Sequence, residues 1–133
     1  MYVLTSEMNM LTQQKININS QALEYFSRGN FKKRIKNYKD AISDFNKAIE
    51  LYPSFAEAYF KRGNVKNLME DFEGAISDYS KAIELDPNLA EAYHNRGLTK
   101  FKSGDEQAGN LDFLKAGMLG YMRAYDVNKE FCN

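Results

Sequence analysis

Cysteine occurs once in the 133-residue chain, at Cys132, and histidine once, at His94; tryptophan is missing and proline stands only at Pro53 and Pro87. A single cysteine makes no intramolecular disulfide and no thiolate cluster for zinc, and a single histidine leaves histidine-rich metal sites and most acid–base dyads unmade. No apolar run approaches the roughly 20 residues that span a bilayer. Residues 1–20 carry one basic residue, Lys15, and no uninterrupted apolar stretch, so they do not read as a signal peptide. The expectation is a cytoplasmic protein without a membrane partner. Charge of one sign is also lacking. Lysine plus arginine and aspartate plus glutamate both number 18, and a net charge of zero gives no global electrostatic case for nucleic acid. What remains is ordinary globular composition, 44% hydrophobic and 27% charged, at about the length of one domain.

What is present is a period. The chain repeats itself every 34 residues: Tyr25, Tyr59 and Tyr93 are in step, as are Arg28, Arg62, Arg96 and Gly29, Gly63, Gly97. Ala41 and Ala75 follow, then Phe45, Tyr79 and Phe113, then Ala48, Ala82 and Ala116, with Pro53 and Pro87 closing two units. Residues 40–53 (DAISDFNKAIELYP) and 74–87 (GAISDYSKAIELDP) are nearly one sentence written twice.

Each unit reads as two helices. In the second helix, Ala75, Ile76, Tyr79, Ala82 and Ile83 fall at steps of three and four, an amphipathic stripe. Asn37, Asp71 and Asp105 sit where the second helices need N-caps, and Ser54 with Glu57 and Asn88 with Glu91 have capping-box spacing for the first helices. Pro53 and Pro87 stop the helices before them. Gly63, Ala75 and Ala82 let two helices approach closely while Tyr59 and Tyr79 fill the space beside them. One such pair cannot bury its apolar face alone, so the pattern has to recur.

This tyrosine–glycine–alanine–aromatic–alanine–proline series, at this spacing and period, resembles the tetratricopeptide repeat family. The resemblance implies an all-α, right-handed solenoid of three helix–turn–helix repeats, at residues 22–55, 56–89 and 90–119, within a domain spanning 20–133. The third unit departs from the pattern, with Gly109 in place of alanine, Glu106 in place of an aromatic, and Gly117 and Gly120 near its end, so its second helix is expected to be the weakest. Residues 120–132, with Tyr121, Ala124, Tyr125, Val127 and Phe131 at helical spacing, are expected to form a capping helix, a seventh. Residues 1–19 form an N-terminal extension with no sustained period. At least residues 11–18 are expected to pack on the first repeat or to cross into a groove of this or a neighbouring molecule.

Little in the chain suggests catalysis. There is no Gly-x-Ser-x-Gly elbow and no phosphate-cradling glycine loop, and the glycines fall at repeat positions. The expectation is a non-enzyme without cofactor or metal. The synchronous series Arg28, Arg62, Arg96 and Asp44, Asp78, Asp112 predicts structural ion pairs within or between units.

The resemblance directs attention to the inner face of the first helices, which lines a concave groove in this family. Matching positions place Phe26, Phe60 and His94 in one row, Asn30, Asn64 and Leu98 in the next, then Lys33, Asn67 and Phe101, with Ser27, Lys61 and Asn95 flanking. Asparagine both donates to and accepts from a peptide backbone, and phenylalanines beside it supply apolar anchor area. The alternative is that Phe26 and Phe60 pack between neighbouring first helices and the asparagines are merely solvated.

Co-chaperone members grip the terminal carboxylate of chaperone tails with lysines, asparagines and an arginine. Here the matching positions are Phe26 and Asn30, Asn64, and Glu91 with Asn95; the cations are missing and Glu91 would repel a carboxylate. The first repeat carries +3 and the second −3, with the densest basic run at residues 32–39. An acidic partner or head-to-tail self-association fits this better than nucleic acid. The leading reading is therefore an adaptor that holds a protein or peptide segment in its groove, and the alternative is a self-associating structural module.

Overall fold

The structure, a computed structural model, describes residues 2–121, with side chains from residue 5 onward. Among the described residues there are six helices and no strand: α1 (Tyr2–Arg34), α2 (Tyr38–Leu51), α3 (Ala56–Leu68), α4 (Phe72–Leu85), α5 (Ala90–Lys102) and α6 (Glu106–Met118). The expected capping helix at 120–132 lies outside the described residues, apart from the start of that range. Two compact units result, Met1–Phe55 and Ala56–Asn133, divided at the junction of the first and second repeats. In the first, α1 packs on α2. In the second, α3 pairs with α4, α5 with α6, and α4 with α5, while α3 also touches α5.

The second helices begin where their caps predict. The side chains of Asn37, Asp71 and Asp105 accept from the backbone N–H of Asp40, Gly74 and Ala108, at 3.4, 3.1 and 3.2 Å. The capping boxes expected for the first helices are not used. α5 starts after Leu89 with no side-chain cap, and Ser54 and Asn88 lie in the preceding turns. Those turns are closed instead by the backbone, Phe55 N–H to Tyr52 C=O at 3.1 Å and Leu89 N–H to Asp86 C=O at 3.2 Å. The proline at the second position of each turn presets the required φ.

Each first helix ends in a residue of positive φ: Lys36 at 62°, Glu70 at 62° and Gly104 at 97°. The next N–H reaches back to Lys32, Lys66 and Lys100 carbonyls, each at 2.9 Å, which is a Schellman closure. Only the third turn uses the glycine that this backbone favours.

The core of the second unit gathers Phe60, Ala75, Tyr79, Ala82 and Ala92, with Tyr59, Ile83 and Leu89 against it. Close approach depends on the small residues. A Cβ on Gly63 would lie 2.9 Å from the Tyr79 ring and 3.3 Å from the Ala75 carbonyl. Gly109, expected to weaken α6, is matched to its surroundings: a Cβ there would meet Phe101 at 2.7 Å and the Gly97 carbonyl at 2.9 Å. The large Phe101 fills the space that the missing methyl group leaves. α6 is continuous from Glu106 to Met118.

The extension differs from expectation. Residues 2–19 continue into α1 as one 33-residue helix. Glycine first occurs at Gly29 and proline at Pro53, so no helix breaker separates the extension from the repeat. Met8, Leu11, Ile16 and Ile18 are exposed, so residues 11–18 do not pack on the first repeat. No described helix is long and apolar enough to cross a membrane.

Candidate functional site

The charged series forms a frame. In the second unit, Arg62 donates from Nε and Nη2 to the two carboxylate oxygens of Asp78, at 2.8 and 2.7 Å, and Lys66 reaches the same carboxylate at 3.0 Å. Arg96 repeats this on Asp112 at 2.8 and 2.7 Å, with Lys100 at 2.9 Å. Each guanidinium also lies over the tyrosine three residues before it, Tyr59 at 5.3 Å and Tyr93 at 5.5 Å. Arg96 further donates to Ser80 Oγ at 3.1 Å, tying α5 to α4. These charges join packed helices, as their common period predicts, so they are structure rather than a binding ladder. The bond to Asp78 raises the Arg62 pKa despite burial. Burial opposes ionisation of Asp112, but the hydrogen bonds from Arg96 and Lys100 outweigh it and lower its pKa below the ordinary carboxylate value.

A polar seam links α3 and α5. Asn64 Oδ1 accepts from the Tyr79 hydroxyl at 2.6 Å and from Asn95 Nδ2 at 3.0 Å. One turn further, the buried Thr99 hydroxyl is shared between the Asn95 carbonyl at 2.8 Å and Asn67 Oδ1 at 3.2 Å. Burial pushes the Tyr79 phenol well above its ordinary pKa, so it serves as a permanent donor holding Asn64. Asn64, Asn67 and Asn95 stay half-exposed. The Asn64 amide NH₂ and the Asn95 amide oxygen bond to nothing else among the described residues, which leaves a donor and an acceptor side by side. Leu98, next along α5, is 41% exposed. Lys61 flanks the seam, half-buried, with Nζ 5.7 Å from the Phe60 ring centroid.

The aromatic half of the expected site is mostly core. Phe60, expected as a central anchor, is 3% exposed and packs on Tyr79 at 5.8 Å. Phe101 stacks on Phe113 at 5.3 Å over Gly109. His94 is half-buried between Phe113, at 5.2 Å, and Tyr121, at 4.5 Å. Phe60 is core, as the alternative had it, but its neighbours are not first helices alone: it clusters with Ala75, Tyr79 and Ala82 of α4 as well as Ala92 of α5. In the first unit, Phe26 is half-buried against Phe55 at 4.8 Å and Phe45 at 5.9 Å, while Asn30 and Lys33 are half-exposed on the same helix. Thr99 and the Tyr79 hydroxyl were not legible as seam members. Tyr79 stands where the other units have phenylalanine, and that single departure was the available signal.

No group of three or more metal-ligating side chains occurs among the described residues. A family model described as "TPR repeat" matches residues 34–69 and 63–104. A search of curated proteins returns no match. Among solved structures, the chain is similar to the Arabidopsis OM64 TPR domain, at 23% identity over 85% of this chain and 95% of that one, with a TM-score of 0.79. It is similar to the first TPR of Spaghetti (RPAP3) bound to the HSP90 peptide SRMEEVD, at 19% identity over 86% of this chain and 96% of that one, TM-score 0.76. It also resembles MamA, at 29% identity over 80% of this chain and 63% of that one, TM-score 0.74. These likenesses show the fold, an all-helical set of helix–turn–helix repeats.

Proposed function

The chain belongs to the tetratricopeptide repeat family, and from that premise we propose that it is an adaptor that captures an extended protein or peptide segment along the α3–α5 seam. The family and its solved relatives support an interaction module; the seam is the finer reading. The observation that carries it is the Asn64–Asn95 pair, locked by Tyr79 yet half-exposed, with one donor and one acceptor left for a peptide backbone. Leu98 supplies apolar contact beside it, and Lys61 and Asn67 border it. Within the second unit His94 borders the proposed surface, half-buried, and Phe60 and Phe101 support it as core; Phe26, Asn30 and Lys33 belong to the first unit and are no part of this seam.

The partner is a protein or peptide, and neither a cofactor nor catalysis enters the reading. Two TPR domains of one similar protein, Spaghetti (RPAP3), were solved with an HSP90 peptide, which favours peptide capture as a class. A terminal carboxylate is not part of this reading: the asparagines fit such a grip, but its lysines and arginine are missing and Glu91 would repel a carboxylate. A cytoplasmic setting is part of the same proposal.

The test is selection of binders from a displayed peptide library, followed by calorimetry on the selected peptides. Asn64→Ala combined with Leu98→Glu should weaken binding by about 2 kcal/mol, as loss of a central contact does, with unchanged helicity. Equal affinity for both proteins would remove the seam as the site.

A further inference from the structure

The N-terminal half of α1 presents a second surface. Met8, Leu11, Lys15, Ile18, Ala22, Phe26 and Gly29 recur at steps of three and four, so they share one face of the helix. From Ala22 onward that face is closed by α2: Ala22 is fully buried, Phe26 lies 5.9 Å from Phe45, and Gly29 leaves room for the same ring. Before Ala22 the same face runs on with no described helix packed on it, and Met8, Leu11 and Ile18 are 66%, 66% and 41% exposed. The segment is also a poor helix on its own account. Asn9, Thr12, Ile16, Asn17, Ile18, Asn19 and Ser20 all have middling or low propensity, and an unpacked helix of this length is marginal in water. Something that continues the packing begun by α2 would hold it.

We propose that this face docks on the same face of a second copy, with the two α1 helices antiparallel and crossing at Leu11. Charge selects the occupant and the direction. Glu7 and Lys15 are the only charged side chains in residues 1–20, and they lie symmetrically four residues either side of Leu11. An antiparallel crossing there sets each Glu7 opposite Lys15 of the partner subunit, twice, under one two-fold axis. A parallel, in-register pairing would set like charges opposite one another. Lys15 lies on the apolar face itself, so its stem covers that face while its ammonium reaches out to the acid. The contact is short, about 15 Å from Met8 to Ile18, so the dimer is a weak one that depends on concentration.

The experiment is light scattering of the full chain across a concentration series, with reductant present because Cys132 is the one thiol. The mass should rise to twice that of the chain. Leu11→Glu, at an exposed position, should return it to one chain mass with the same circular dichroism. Glu7→Lys should do the same, and Glu7→Lys with Lys15→Glu should restore the doubled mass. A single-chain mass at every concentration would overturn the proposal, as would a dimer indifferent to Leu11→Glu. Failure of the double exchange to restore the doubled mass would overturn the antiparallel crossing. None of these readouts touches the α3–α5 seam.

Discussion

The two compact units carry the same arginine and the same aspartate in the same register, yet they make different ion pairs. In the second unit Arg62 grips Asp78 with two bonds near 2.7–2.8 Å, and the arginine side chain is 18% exposed. In the first, Arg28 stands 3.8 Å from Asp44 and is 54% exposed. The difference traces to one neighbouring residue. Lys66 joins Asp78, whereas its counterpart Lys32 lies 3.8 Å from Asp40, at the position where the second repeat has Gly74. Asp40 draws the lysine away, and Asp44 keeps one loose partner. A repeated motif therefore sets which residues meet. How tightly they meet depends on the non-repeated residues around them.

The largest expected effect is a difference between two identical substitutions. Asp78→Ala removes the carboxylate that Arg62 and Lys66, both largely covered, share, and should cost about 3 kcal/mol. Asp44→Ala should cost about 1 kcal/mol or less, since its partner is half in water. Urea unfolding of the two variants measures both; equal losses would mean that the geometry of the pairs does not govern their strength.

Acid should sharpen the same contrast. The folded-state pKa of Asp112 lies below its ordinary 3.8, so the pair contributes stability above that pH and loses it as pH falls toward the folded value. Thermal melts should thus show an acid limb below about pH 4, and Asp112→Asn should flatten it while lowering stability at neutral pH. A limb of the same steepness in that variant would assign the acid sensitivity elsewhere.

The smallest effect concerns what the units share. Lys36 and Glu70 both sit at φ 62°, one in each unit, where the third repeat has Gly104. Lys36→Gly and Glu70→Gly should each be neutral to stabilising by up to about 1 kcal/mol, because the strain of a side chain at positive φ is relieved against glycine's greater unfolded-state entropy. Differential scanning calorimetry resolves this, and the two shifts should match. A marked inequality would show that the turns differ between units despite equal dihedrals.

Much of this was readable from residue order alone. The 34-residue period located five of the six described helices, the three aspartate or asparagine caps, and the partners of Arg28, Arg62 and Arg96. Each of these rests on contacts inside one repeat, sixteen residues apart or fewer, where helix geometry converts spacing directly into proximity. The expected packing of residues 11–18 on the first repeat did not appear, for a related reason. No described helix packs on the extension before Ala22, its apolar stripe is thin (Met8, Leu11 and Ile18, with Lys15 among them), and beyond that stripe only the absence of glycine and proline spoke for a helix.

Tertiary packing decided the rest. Phe60 and Asn64 are neighbours on one helix and looked equally suited to a surface, yet one is core and the other lies on the seam. The choice depends on what α4 and α5 bring up against α3: Ala75, Tyr79 and Ala92 enclose the ring, while the Tyr79 hydroxyl and Asn95, thirty-one residues away, meet the amide. The sequence by itself determined the helices and the pairs that hold each hairpin, because those interactions are local. Which polar groups remain turned to solvent, and so available to a partner, was settled only when separate hairpins closed on one another, because burial is a property of the neighbours and not of the residue.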